Sequence, residues 1–206
     1  MHIPIYSKIY RCQDVYSTRP FKAGIELDFD RSCNLLRGDF KPSDVLDVKH
    51  CRGLGTPKLV IWTGFSLLIH EKIIKEFIEY GITGWEKFDI NLIGKHNENI
   101  VGYYGISITG RCGPLDYFRS EIVYRNFPGG SFPYFKGSYF ENDYWDGTDI
   151  FMENPDENGP TLHKYVSERV AQIFDKYKVK NLELTALTET EIDVNVIKAR
   201  RTEKIP

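Results

Sequence analysis

His50 and Cys51 offer an imidazole and a thiol, common zinc ligands. Neighbours in an extended chain point to opposite sides, however, and no second pair stands at ligand spacing. His2, His70, His96 and His163 are scattered. Gly64-Phe65-Ser66 begins like the nucleophile turn of an esterase, but Leu68 stands where the closing glycine would be needed for that strained turn. Gly53-Leu54-Gly55-Thr56 starts like a phosphate-cradling loop and lacks the third glycine and the Lys-Ser/Thr pair. Asp143, Asp146 and Asp149 match a calcium loop in composition, without its residue order or its closing bidentate glutamate. The expectation is therefore no catalytic signature, no metal and no cofactor. An acid and a base brought together only by the fold would escape such a reading.

The other chemistry on offer is contact chemistry. Residues 117 to 145 are dense in Tyr, Phe and Trp, interleaved with Pro, Gly, Asn and Asp, so they cannot all face inward along one regular element. The part from 139 to 149 combines Tyr139, Tyr144 and Trp145 with Glu141, Asp143, Asp146 and Asp149. Tyr and Trp anchor interfaces more often than other types, and carboxylates speed association with a basic partner. These seven are the expected partner-binding residues. Asp149 has a second reading, since beside Gly147 it can fix a turn through local backbone bonds. Core filling beside a solvated acidic turn is the plainer account of the segment.

The elements that must position these residues centre on Leu67 to Leu92, because a cousin of that stretch returns at Tyr165 to Leu187. In one ungapped frame Glu71 falls on Glu168, Phe77 on Phe174, Tyr80 on Tyr177 and Glu86 on Glu183. Each copy reads as strand, amphipathic helix, strand. The first helix carries Ile73, Ile74, Phe77 and Ile78 at helical spacing, with Gly81 suited to its left-handed end. The second carries Val170, Ala171, Phe174 and Tyr177 behind Ser167, a good N-cap. Lys178 replaces the glycine, so the second helix is expected to end without a left-handed residue. Such a repeat predicts an α+β fold, with mixed or antiparallel sheets and two principal helices in two related strand-helix-strand halves.

One domain of 206 residues is expected. Residues 1–58 would form an N-terminal strand and loop layer, with PIYSKIY and GIELDFD as strands. Residues 59–110 would form the first half, 111–192 the second, and 193–206 a basic tail. A net charge of −2 gives no pull toward nucleic acid or an anionic membrane. No apolar run approaches the roughly 20 residues that span a bilayer, and no secretory signal is visible. The 4 cysteines show no C-x-x-C spacing and are expected as free thiols in a cytoplasmic protein.

The second half resembles a bacterial immunity-protein family of polymorphic toxin systems, long catalogued as a domain of unknown function. The residues that carry the likeness are Gly147, Asp149, Ile150 and Phe151, then Val166, Ser167, Glu168, Arg169, Val170 and Phe174, with Asp116 and Ser120 upstream. It covers about residues 58 to 190. His70 departs from the serine expected at the first helix start. The resemblance implies a non-enzymatic cytoplasmic protein that binds and neutralises a cognate protein toxin. A general protein- or glycan-binding module, and an enzyme with a site invisible in sequence, are the alternatives; neither partner nor oligomeric state can be read.

Overall fold

The computed structural model describes residues 5–15, 17, 19–154, 162–195 and 197. The tail cations Lys198, Arg200, Arg201 and Lys204 lie outside them, as do His2 and most of the loop before the second copy. In chain order the first elements are β1 (Ile9–Asp14), β2 (Lys22–Ile25), α1 (Phe29–Arg37), β3 (Leu46–Arg52), β4 (Val60–Trp62) and β5 (Leu67–His70). Then come α2 (Glu71–Glu79), β6 (Trp85–Ile93), β7 (Asn99–Ile100), β8 (Tyr103–Ile108), β9 (Gly110–Cys112) and β10 (Glu121–Phe127). The chain continues through β11 (Gly130–Lys136), β12 (Ile150–Glu153), β13 (Lys164–Ser167), α3 (Glu168–Lys176), β14 (Leu182–Ala186) and β15 (Glu191–Asp193).

The fold is α+β. A mixed seven-stranded sheet runs β2-β3-β6-β8-β5-β4, with β7 paired to β6; a five-stranded sheet runs β14-β1-β13-β12-β9; a three-stranded sheet runs β10-β11-β15. The two halves are related strand by strand. In the first, β5 and β6 flank β8 and are antiparallel to it; in the second, β13 and β14 flank β1 in the same way. Each helix thus crosses between two parallel strands over an inserted antiparallel one. The registers coincide as well: Ile69 lies opposite Tyr104 and Val166 opposite Tyr10, while Lys87 lies opposite Ile106 and Leu184 opposite Cys12. The outer strands obey the same correspondence, Val60 pairing Ile69 as Ile150 pairs Val166.

The halves pack reciprocally, like two copies across an isologous interface. Phe77 and Phe174, equivalent and both buried, face one another with ring centroids 6.2 Å apart. Around them, Ile73, Ile74, Val170, Ile173 and the inward residues of both sheets form the main core. Each sheet is covered on its other face too: Leu68 and Leu92 join Phe21 and Val48 behind the first, and Tyr165 and Phe151 join Tyr6 and Phe140 behind the second. Burial on both faces accounts for the unbroken apolar run of β5.

Several local expectations are corrected. Ile78 is 66% exposed, and Ile173, not Ala171 or Tyr177, completes the buried stripe of α3. Ser167 sits at the N-cap, but its hydroxyl donates to Asp149 and makes no cap bond; His70, at the equivalent position, does cap, accepting the Lys72 N–H at Nδ1. Lys178 adopts the left-handed conformation after all, at φ 53 against 59 for Gly81. Both helices close alike, Ile82 N–H to Phe77 O and Val179 N–H to Phe174 O, the six-to-one bond of a Schellman motif. Residues 9–14 are not a layer over the core, because β1 is the inserted strand of the second half. Within PIYSKIY, Ile5–Lys8 form a 3₁₀ turn and the strand begins only at Ile9; the strand read through Phe29 stops at Ile25. Phe29 instead opens α1, capped by the Asp28 side chain on the Arg31 N–H and closed at Gly38, φ 78.

One core position breaks the equivalence with a charge. Lys164 matches Leu67, is 1% exposed, and lies beside Cys12 with its ammonium 4.3 Å over the Trp62 ring. Burial lowers its pKa to about 8, against attraction toward Cys12. Between about pH 8 and the ordinary lysine value the unfolded chain holds a proton that the native protein has released, so stability rises with pH. Above about pH 9 the Cys12 thiol, pushed up by burial to about 12, works in the opposite sense. The Cys33 and Cys112 thiols, also raised by burial, add to that opposition, so it is the Lys164 contribution, read as wild type minus Lys164→Met, that should grow by roughly 1 kcal/mol between pH 7 and 9. Lys164→Met should lose that rise and be about 1–3 kcal/mol more stable at pH 7. Urea midpoints across this pH range test both; a variant with an unchanged pH slope would refute the assignment to Lys164.

Candidate functional site

The segment from 139 to 149 is built around a tight turn. Glu141–Asp143 form a 3₁₀ turn in which Asn142 (φ 53) and Asp143 (φ 52) are left-handed without being glycine. Side chains hold the turn there. Asp143 Oδ1 accepts the Tyr6 hydroxyl at 2.5 Å and Arg119 Nη1 at 2.6 Å. The same guanidinium lies 4.9 Å over the Tyr139 ring and 5.5 Å over Tyr6. Burial, and then the bond to Asp143, push the Tyr6 phenol up to about 12, so it stays a donor at any physiological pH.

The seven residues expected at an interface divide. Glu141 and Tyr144 face solvent, Tyr144 at 50% exposure. Asp143 is exposed but engaged as described. Asp146 is exposed and fixes its own turn, accepting Arg111 N–H at 2.7 Å and the Thr148 N–H and hydroxyl at 3.0 and 2.6 Å. Tyr139 packs edge-on against Tyr6, its centroid 5.1 Å away. Trp145 is half-buried against Phe151, centroids 5.2 Å apart, and donates its Nε1–H to Thr148 O. Asp149 is corrected outright: at 4% exposure it cannot meet a partner. It receives Thr83 N–H and Oγ1–H at 3.1 Å each, Ser167 Oγ–H at 2.7 Å and Arg169 Nη1–H at 2.8 Å. It ties the α2–β6 loop of the first half to the start of α3 in the second.

The larger exposed aromatic surface lies just upstream, on the β10–β11 hairpin. Cross-strand partners share a face, so Ile122, Tyr124 and Phe135 lie on one side and Val123, Phe132, Tyr134 and Phe127 on the other. Phe135 is the anchor, buried against Val194 and Ile197. Beyond it both faces open: Tyr124 is 67% exposed, Phe127 53% and Ile122 44%. Phe127 clusters with Phe132 and Tyr134 near the Pro128-Gly129 tip, at 6.0 and 6.4 Å. Phe118, also exposed, precedes Arg119 in the turn that links this hairpin to Asp143. β10 is the free edge of its sheet and carries no Pro, Lys or bulge to blunt it over seven residues. Alternation in EIVYRNF and the Pro-Gly-Gly turn were readable as a hairpin; that neither face would be covered along its outer half was not.

A third cluster has the chemistry of a base. Glu153, 3% exposed, accepts the Tyr165 hydroxyl at 2.5 Å and contacts His163 Nδ1 at 3.1 Å. A buried carboxylate of this kind orients an imidazole. The neighbouring thiol, Cys112, is fully buried and held protonated by that burial and by Glu153, and the Tyr165 phenol is pushed well above its usual range. The arrangement offers a base without an activated nucleophile among the described residues. Among those residues no group of three His, Cys, Asp or Glu is placed to hold a metal ion, and no helix is long and apolar enough to cross a membrane. All four cysteines are unpaired, with Cys51 alone exposed.

No protein-family model matches the chain, and no curated protein matches it significantly.

Proposed function

We propose that the chain is a non-enzymatic binding protein whose partner is a basic protein, captured on the β10–β11 hairpin and the acidic turn beside it. The observation that carries this reading is the hairpin itself, with large apolar side chains exposed on both faces and an open strand edge. Such an edge suits strand addition, main-chain bonds supplying affinity and the alternating side chains specificity. The partner's charge is argued from what is already neutralised. Arg119, Arg125 and Lys136 are paired with Asp143, Glu191 and Glu189, whereas Glu121 and Glu141 have no ion pair among the described residues. The surplus is acidic. The likeness to toxin-immunity proteins gives the proposal its specific form, a cytoplasmic protein that neutralises a cognate toxin.

The test is binding to any toxin-like protein found encoded beside the gene, together with protection of cells that express that protein. Tyr124→Ser with Phe127→Ser should weaken binding at least about tenfold, the scale of an interface anchor. The melting temperature should hardly move, since both rings are more than half exposed. A double variant that binds and protects as well as wild type would sink the proposal.

A further inference from the structure

The reciprocal packing of the two halves creates two equivalent junctions, each between a helix-to-strand loop and the start of the other half's outer strand. The first, between residues 80–84 and 147–150, is closed by the Asp149 carboxylate and its four donors. The second, between 177–181 and 57–60, is open. The equivalence puts Leu59 in the place of Asp149, Lys180 in the place of Thr83, and Lys58 in the place of Thr148. Backbone packing is otherwise conserved: Gly84 lies so close to Ile150 O that a Cβ there would strike it, and Asn181 donates its Nδ2–H to Val60 O at 2.6 Å. Where one junction holds a carboxylate, the other holds a pocket of about 450 Å³.

Four cations line that pocket, Arg19, Lys58, Lys178 and Lys180, and among the described residues no Asp or Glu does. Among the described residues none of the four makes an ion pair. Like charges gathered round a concave surface repel one another, and no ion pair among the described residues offsets this. Lys178 adds a second cost, because it is left-handed where the twin half has glycine. A side chain is held in that conformation against its preference, and the outlier falls on the pocket rim. The half-buried Leu59, Tyr177 and Val179 supply an apolar wall.

From this we infer a binding site for a small polyphosphate-bearing molecule of nucleotide size, its phosphates among the four cations and its organic part against the apolar wall. The inference is independent of the hairpin reading. It is tested by calorimetry at low salt with three probes: ATP, inorganic tripolyphosphate and adenosine. ATP and tripolyphosphate should both bind, and added salt should weaken both. Lys58→Gln with Lys180→Gln should weaken them at least about tenfold. Lys72→Gln with Lys95→Gln, an equal charge change at exposed positions outside the pocket, should not. Lys178→Gly separates function from structure: it should weaken binding while raising the melting temperature by a few degrees, because glycine relieves the left-handed strain. Failure of both phosphate probes to bind overturns the inference. So does binding by adenosine alone, or tripolyphosphate affinity unchanged in the double variant.

Discussion

Phe77→Ala and Phe174→Ala should each destabilise the protein by about 3–5 kcal/mol, the usual cost of emptying a core aromatic site. Both rings are essentially inaccessible, and each is the central side chain of its helix. Phe77 also meets the Trp85 ring edge-on at 5.4 Å, so its removal strips a contact from the following strand. For a chain of this length each loss corresponds to a fall in melting temperature of roughly 6–20 °C. Because the two rings face each other, the double variant opens one shared cavity, and its cost should differ from the sum by more than about 0.5 kcal/mol. Urea denaturation of the two single variants and the double one measures all three numbers. A loss below about 1 kcal/mol in either single variant, or strict additivity in the double, would contradict the face-to-face core.

Asp149→Ala should cost about 3 kcal/mol. The carboxylate is buried, and its loss leaves the Thr83 N–H, the Ser167 hydroxyl and the Arg169 guanidinium without their acceptor. Arg169 and Thr83 are exposed and can turn to water; Ser167, buried, is less free to do so. Asp149→Asn keeps one acceptor oxygen and should lose about half as much. Equilibrium denaturation decides it: an alanine variant within about 1 kcal/mol of wild type would mean that water substitutes for the carboxylate, and that the junction is held by the backbone bond from Ile150 N–H to Thr83 O.

The repeat was legible because it is local. Periodic apolar residues, a shared frame and similar flanks sufficed to align β5–α2–β6 with β13–α3–β14, element for element. The placement of the inserted strands β8 and β1 was not legible, since nothing in YYGISI or IYRCQD says which distant strands each will separate. α1 was missed for a different reason. A period of two in GIELDFD reads as a strand through Phe29, whereas Asp28 as N-cap and Gly38 as the left-handed end were helix signals that the alternation outweighed. The candidate surface was half legible. Aromatic density from 117 to 145 marked the region that carries the exposed rings, but composition cannot tell Trp145, packed on Phe151, from Tyr124, which is mostly exposed. Asp149 stood apart from the other acids only as a residue that could fix a local turn. Its burial depends on Thr83, 66 residues away, which no local window contains.

The insertion of β1 into the second half also sets the order in which the molecule can close. All strands of the first repeat lie between Val60 and Ile108, and pairing Leu67 with Ile106 closes a loop of roughly 40 residues. Pairing Ile9 with Ser167 closes one of roughly 160, which by loop-closure entropy costs about 1.2 kcal/mol more before any contact forms. The first repeat can therefore assemble during synthesis, with its helix displaying Phe77 and no Phe174 to meet it. The second has only three of its four strands until residues 9–14 fold back across the molecule. Until then the main core is a half-built interface, and a second nascent chain that offers its own β1, or its own α3, meets an uncovered surface of the right shape. Two units that pack like the subunits of a dimer thus carry the dimer's hazard, exchange of equivalent parts between molecules, and the long connection to β1 is where that exchange would start.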